Sequence, residues 1–174
     1  MTKFLLICGS PRKGNSYFIT NEIAKKFRAK TVILSEKNIS HCTGCLYCDT
    51  KKECRIKDDT QEMHGLLQKA DIIIIVTPNY FDNVPGILKD FIDRTNPLYE
   101  TGKLNGKKLV TIVVGGGEVA NSKRITNHAL KYFAGAHGMN IVGSFYFKAL
   151  QCDELSMSKQ KKKLGTIFNF LKEL

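Results

Sequence analysis

The segment Asp71-Ile72-Ile73-Ile74-Ile75-Val76 constrains the fold of this chain more than any other stretch. Its consecutive β-branched residues leave no polar face, so a strand built from them must be covered on both sides. Strands buried in that way belong to parallel sheets, whose crossover connections lay helices across both faces. The run falls far short of the ~20 apolar residues that cross a bilayer. A chain of 174 residues is long enough for one domain with a sizeable core.

The flanking sequence repeats the theme. Lys3 to Cys8, Thr31 to Leu34, Lys108 to Val114 and Asn140 to Phe147 are apolar runs of strand length. Between them lie stretches with helical spacing: Asn15 to Arg28 carries Ile19, Ile23 and Phe27, and Leu88 to Arg94 carries Leu88, Phe91 and Ile92. Met63, Leu66 and Leu67 follow Asp58 and Asp59, whose carboxylates suit a helix N-terminus. Asn121 to His137 and the run Leu164, Ile167, Phe168, Leu171, Leu174 complete the set. This alternation predicts an α/β fold, a doubly wound five-stranded parallel sheet in the flavodoxin-like order 2-1-3-4-5 with helices on both faces. With no repeat, low-complexity tract or linker, residues 1–174 are expected to form a single domain, with a cysteine-rich loop at 41–54.

Lys and Arg number 27 against 16 Asp and Glu, a formal charge of +11 that invites anionic ligands or acidic partners. The cations at Lys25, Lys26, Arg28 and Lys30, and at Lys159 and Lys161 to Lys163, read as solvated helix faces. No basic patch is interleaved with aromatics and Trp is absent, so base stacking has little support and no nucleic acid is expected. Phe4 to Cys8 is cut off by Gly9-Ser10-Pro11-Arg12 too early for a signal peptide. The expectation is a soluble cytoplasmic chain without membrane contact.

Sheets of this kind bind ligands beyond the carboxyl ends of their strands, where three unusual loops emerge. Gly9 to Ser16 joins a strand to a helix, a setting whose free N–H groups suit an anion. Ser10, Asn15 and Ser16 add short hydrogen-bonding side chains, and Arg12 or Lys13 adds charge. The spacing approaches a P-loop, but Asn15 stands where that pattern needs Lys, so a triphosphatase is excluded in favour of a single terminal phosphate. Thr77 to Gly86 places Tyr80 and Phe81 side by side between Pro78 and Pro85. Adjacent aromatics there cover a flat apolar ligand or pack beneath the loop as a small satellite core. Gly115-Gly116-Gly117 permits close backbone approach from the third loop.

Gly9-Ser-Pro-Arg-Lys-Gly-Asn-Ser16, Pro78-Asn-Tyr-Phe-Asp-Asn-Val84, Gly86-Ile-Leu-Lys-Asp-Phe-Ile-Asp-Arg94 and Val114-Gly-Gly-Gly117 together resemble the flavodoxin-like NADPH-dependent FMN reductase family over nearly the whole chain. The resemblance implies FMN, with its phosphate on Ser10, Arg12, Asn15 and Ser16. It puts the isoalloxazine ring near Pro78, Asn79, Tyr80, Phe81 and Asn83 and near Gly115, Gly116 and Gly117. Asp82, where Gly is common, and Pro85, where a small polar residue is common, depart from the family pattern. The resemblance also implies a homodimer or homotetramer with FMN near the interface, to which the apolar side of Leu88, Phe91 and Ile92 is expected to contribute.

Cys42, Cys45, Cys48 and Cys54 pack four thiols into 13 residues. In a cytosolic chain such a cluster reads as metal or redox chemistry before disulfides. The spacing lets each thiolate take a separate iron of one cubane, whereas zinc prefers two Cys-x2-Cys arms around a longer insert. Within the family the loop resembles that of iron–sulfur flavoproteins, which implies a 4Fe–4S cluster beside FMN. Cluster, zinc and free thiols remain open readings. Three functions follow from them: electron transfer between FMN and a cluster, a cluster-free NAD(P)H-dependent FMN or quinone reductase, and a zinc-stabilised basic nucleic-acid-binding module. NAD(P)H, or ferredoxin or another small electron carrier, would be the redox partner, and no side chain is assigned as acid–base catalyst. His41 reads as an exposed loop residue, Cys8 and Cys152 as buried inert thiols. His64, His128 and His137 have no partner legible in the sequence.

Overall fold

The computed structural model describes residues 3–116, 119–149, 151, 154 and 161–174, apart from the side chains of 119–125 and 161–162. Gly117, Cys152 and Lys159 lie outside the described residues. The elements are β1 (Phe4–Cys8), α1 (Asn15–Phe27), β2 (Lys30–Ile33), α2 (Tyr47–Lys51), α3 (Thr60–Lys69), β3 (Ile72–Pro78), α4 (Gly86–Asp93), α5 (Asn96–Glu100), β4 (Lys108–Gly115), α6 (Val119–Ala136), β5 (Asn140–Lys148) and α7 (Lys161–Lys172). All strand pairings are parallel and the order is β2-β1-β3-β4-β5, as the alternation predicts.

The isoleucine run explains the two layers. Side chains alternate across a strand, so Ile73 and Ile75 enter one core with Met63 and Leu67 of α3, Leu88 and Phe91 of α4, and Leu130 and Phe133 of α6. Ile72, Ile74 and Val76 enter the other, with Ile19 and Ile23 of α1 and Leu164, Ile167 and Leu171 of α7. Each such side chain is removed from water almost completely, which stabilises the fold by about 1.5–3 kcal/mol per residue. A single strand thereby anchors both helical layers.

The strand order reverses between β1 and β3, and the loops after β1, β3 and β4 leave the sheet together. Backbone bonds fix their roots: Gly9 N–H donates to Val76 O at 2.8 Å, Asn79 N–H to Val114 O at 2.7 Å, and Ala149 N–H to Gly115 O at 2.9 Å. Gly9 is required by packing, since a Cβ there would lie 2.7 Å from Leu88 Cδ2.

Two features differ from the sequence-based expectation. Leu88 and Phe91 are buried in the core and Ile92 packs against it, so this side of α4 faces the sheet, and of the three only the half-buried Ile92 also reaches a surface groove. Helical periodicity identifies an apolar side without telling what covers it. Helices α2 and α5 are additional; for α5 a Thr95 N-cap with Pro97 in the first turn was a readable signal. Among the described residues no helix is long and apolar enough to cross a membrane.

Candidate functional site

Two cavities concentrate the chemistry. The first, about 230 Å³, is lined by Ser10, Arg12, Asn15, Ser16, Pro78, Asn79, Tyr80, Val114, Gly115, Gly116 and Ala149. The three carboxyl-edge loops thus meet around one space. Gly14 precedes α1 and no side chain caps the helix. The N–H groups of its first turn have no acceptor within the helix and sit at the positive end of its dipole, an arrangement suited to an anion. Ser10 Oγ donates to Arg12 O at 2.8 Å and accepts from Arg12 N–H at 3.3 Å, which closes the turn beneath the opening. Asn15 Nδ2 donates to Gln151 O at 2.7 Å and ties the loop to the segment after β5. Lys13 turns away to Glu36 at 3.0 Å, a contact that raises its ammonium pKa, so Arg12 is the cation at the cavity wall.

The loop after β3 closes as a two-residue hairpin. Tyr80 N–H and Asn83 O are 2.9 Å apart, Asn83 N–H and Tyr80 O 3.0 Å apart, and the central residues Phe81 and Asp82 have φ of 49° and 57°. Positive φ at both central positions has the sign pattern of a type I′ turn, which Asn-Gly sequences fill without strain. Here a bulky aromatic and an aspartate occupy it. A glycine at the Asp82 position would adopt this conformation without strain.

Phe81 is fully exposed and Tyr80 is 38% exposed, so the pair does not pack together beneath the loop as a satellite core. Phe81 and Asn83 do not line the cavity; Asn83 Oδ1 instead accepts from Val84 N–H at 2.8 Å. Asn79 Nδ2 donates to Asp82 Oδ1 at 3.1 Å, leaving Asn79 Oδ1 buried at the cavity without a hydrogen-bond partner. Gly115 admits this approach, since a Cβ there would lie 2.7 Å from Tyr146 Oη and 3.0 Å from Asn79 Cβ. Val114 and Ala149 complete the lining; the sequence marks Val114 only as a neighbour of the glycines, and nothing in it marks Ala149.

The second cavity, about 430 Å³, is lined by all four clustered cysteines together with Arg94, Asn96 and Pro97 among others. Cys42 and Cys45 are exposed, Cys48 and Cys54 half-buried, and all are free thiols. Among the described residues no three His, Cys, Asp or Glu side chains converge as a single metal ion requires. The thiols surround a space instead of a point.

Hydrogen-bond donors face that space. Asn96 Nδ2 donates to Cys48 Sγ at 3.0 Å. The Tyr47 backbone N–H holds the Cys45 thiol pKa below its ordinary value. Arg94 Nε is buried without an acceptor. Such a donor set suits an anionic occupant.

Arg94 anchors the loop. Its guanidinium is almost wholly buried and grips Asp58 in bidentate fashion, Nη1 to Oδ2 at 2.7 Å and Nη2 to Oδ1 at 3.1 Å. It also donates to Ser40 O at 2.8 Å, Ile56 O at 3.1 Å and Thr60 Oγ1 at 2.9 Å. Both ends of the cysteine segment are therefore held by one side chain from the end of α4. Burial would raise the Asp58 carboxyl pKa, but Arg94, Thr60 and the Ser40 backbone more than offset it and hold the group well below the usual carboxylate range.

Beside this junction His64 Nε2 contacts Arg94 O at 2.8 Å and His137 Nε2 contacts Thr95 Oγ1 at 2.9 Å. Burial lowers both imidazole pKa values, that of His137 to about 4, so both are neutral packing residues at pH 7. His41 is exposed as expected and pairs with Asp90 at 2.7 Å, which raises its pKa. Cys8 is buried and its thiol pKa is raised by burial.

Comparison with known proteins places these cavities in context. A family model for NADPH-dependent FMN reductases matches residues 2–151. An iron–sulfur flavoprotein of Methanocaldococcus jannaschii is 32% identical over 189 aligned positions that cover 96% of each chain. An iron–sulfur flavoprotein of Archaeoglobus fulgidus is 38% identical over 117 residues, 64% of this chain and 53% of the relative, so that match spans about half the relative's length. A flavodoxin, WrbA-like protein from Agrobacterium tumefaciens shares the fold with a TM-score of 0.69 at 15% identity, over 99% of each chain.

Proposed function

The chain belongs to the NADPH-dependent FMN reductase family, and from that premise we propose that it is a single-domain, cytoplasmic, FMN-dependent oxidoreductase that passes electrons between FMN and a 4Fe–4S cluster on Cys42, Cys45, Cys48 and Cys54. The observation that carries this reading is the separation of the two cavities. One has an uncapped helix N-terminus and an orphaned acceptor beside glycine backbone, and the other has four thiols facing hydrogen-bond donors. The names of the similar iron–sulfur flavoproteins support the second half of the reading.

Bound FMN supplies two-electron chemistry and a cysteine-held cluster supplies one-electron exchange, with the protein providing position and polarity. Ser10, Arg12, Asn15, Ser16 and the first turn of α1 would hold the FMN phosphate. Asn79 Oδ1 offers a buried acceptor that suits the imide N–H of a flavin. Pro78, Tyr80, Gly115 and Gly116 would border the ring, and Phe81 and Asn83 would shape the loop over it. The reductant is NAD(P)H or a small electron carrier such as ferredoxin, for which a charge of +11 suits an acidic partner.

We assign a homodimer or homotetramer from Phe81, Tyr99 and Tyr132, large side chains left exposed, and from a groove of about 1020 Å³ that Tyr99 and Tyr132 help to line. Light scattering at micromolar concentration with FMN bound should find no monomer; a monomer would refute the assignment.

Anaerobically purified protein should contain one FMN and, as a cubane requires, roughly four iron and four acid-labile sulfide per chain. Flavin without iron would leave a cluster-free reductase; one metal without sulfide would favour zinc. Replacing Arg12 and Ser16 together with Ala should weaken FMN binding at least tenfold, since each lost hydrogen bond is worth about 1–3 kcal/mol. Unchanged affinity by fluorescence titration would remove this loop from the phosphate site.

Phe81→Asn has two expected effects. Asn tolerates positive φ where Phe does not, so the FMN-free protein should gain about 1 kcal/mol in denaturant unfolding. FMN affinity or self-association should fall, because strain at an exposed aromatic is retained for a contact. Gain of stability with neither loss would strip Phe81 of that role.

A further inference from the structure

We propose that the α4–α5 junction, Asp93 to Asn96, is a hydrogen-bond donor platform that sets the reduction potential of the group held by the cysteine loop, with Asn96 as a positioning residue toward Cys48. The inference rests on the cluster reading above and assigns a task to residues outside the Cys-x2-Cys spacing.

Asn96 and Arg94 leave the same short turn and reach the same cavity. The Asn96 amide donates to Cys48 Sγ at 3.0 Å and to Asp49 Oδ1 at 3.4 Å. It thereby serves the thiol and also holds the neighbouring carboxylate, whose Oδ1 lies 3.8 Å from the same sulfur. Arg94 lines the same cavity as Cys54, and its buried Nε–H has no acceptor. Asp93, the remaining charged group of the turn, is neutralised by Lys89 at 2.6 Å. The donors therefore act without a competing free anion from their own segment.

The platform is rigid, and that distinguishes it from two polar side chains at a surface. Thr95 Oγ1 donates to Ile92 O at 2.6 Å, so the hydroxyl accepts from His137 Nε2–H at 2.9 Å. Arg94 O accepts from His64 Nε2–H at 2.8 Å. Pro97 fixes the backbone immediately after Asn96. His64 of α3, His137 just after α6, and the residues flanking the cysteines that Arg94 holds thus lock the turn that aims Asn96. Hydrogen bonds to thiolate sulfur favour the more negative, reduced state of an iron–sulfur centre and raise its potential. Their orientation has to be fixed in advance to be effective.

The test compares Asn96→Leu, which keeps the branching at Cγ and loses both N–H donors, with Asn96→Gln, which keeps the amide. Each holoprotein is prepared anaerobically, assayed for iron and sulfide, and titrated for its cluster midpoint potential, with the flavin potential as internal control. In N96L with full iron, the cluster equilibrium should shift at least tenfold toward the oxidised form, about 59 mV for one electron. N96Q should move less than half as far, and the flavin potential should not move. Loss of iron from N96L but not N96Q would also support the donor role. An unmoved potential in iron-replete N96L, or equal loss of iron from both variants, would overturn it. Absence of iron and sulfide from the unmutated protein would overturn the cluster reading and this inference with it, an outcome distinct from either.

Discussion

Replacing Arg94 with Met is expected to cost the fold about 3–5 kcal/mol and to release the cysteine loop, because it strands Asp58 in a buried site without its partner. The bidentate grip on Asp58 is only one part of the loss. The same guanidinium binds the carbonyls of Ser40 and Ile56 and the hydroxyl of Thr60, so residues on both sides of the cysteines lose their attachment to α4. The pH dependence separates this cause from a packing defect. In the native protein Asp58 has a depressed pKa, so its stabilisation is present above the unfolded carboxylate value of about 3.9 and is lost as pH falls through the folded value. In R94M the guanidinium is gone while burial and the hydrogen bonds from Thr60 and the Ser40 backbone remain, so the Asp58 pKa rises from its native value. The native protein loses this group's stabilisation as pH falls below about 3.9, and the variant, which has less of it, loses less. Denaturant unfolding of both proteins at about pH 7 and about pH 3 should show the gap narrowing in acid. A loss under 1 kcal/mol at pH 7, or a gap independent of pH, would show that Asp58 and Arg94 are not the clasp of this loop.

Neither partner of that clasp carried a readable signal. Asp58 reads as a helix-opening carboxylate and Arg94 as the end of a family motif, and their 36-residue separation hides the bidentate contact. The sheet, by contrast, was legible because its information is local. A β-branched run has to be buried on both faces, and β3 divides its side chains between two cores accordingly. The side of α4 bearing Leu88 and Phe91 shows the limit of local pattern: periodicity predicts an apolar stripe, and only the tertiary fold assigns it to the sheet.

The candidate cavities divide in the same way. Loop composition at the carboxyl ends pointed to Ser10, Arg12, Asn15, Ser16, Gly115 and Gly116, and the family resemblance to Asn79; the structure gathers these around one space. The strained Phe81-Asp82 turn was hidden because the sequence lacks the glycine that normally announces it. Cysteine spacing announced a ligand set, whereas Asn96, the donor to Cys48, comes from α5, an element that the apolar pattern did not reveal.

Changing Cys48 to Ala should remove most of the iron and acid-labile sulfide from anaerobically prepared protein while FMN remains bound. Cys48 is the half-buried thiol in the first turn of α2 that receives the Asn96 amide. A cubane deprived of one thiolate has an iron without a protein ligand, so loading should collapse well beyond a quarter of the metal. Retention of FMN follows from the separation of the cavities: no residue that lines the first lines the second, and their walls come from different loops. Flavin reduction by NAD(P)H should therefore persist, whereas one-electron exchange with a small protein carrier should fail. The fold should survive, because Ala fits the short α2 and the Arg94 clasp does not include Cys48. Iron analysis, flavin absorbance and carrier-linked reduction on one preparation separate the possibilities. Loss of iron and flavin together would mean that the two sites are built on each other. Full iron in C48A would remove Cys48 from the ligand set and, with it, the assignment of all four cysteines to one cluster.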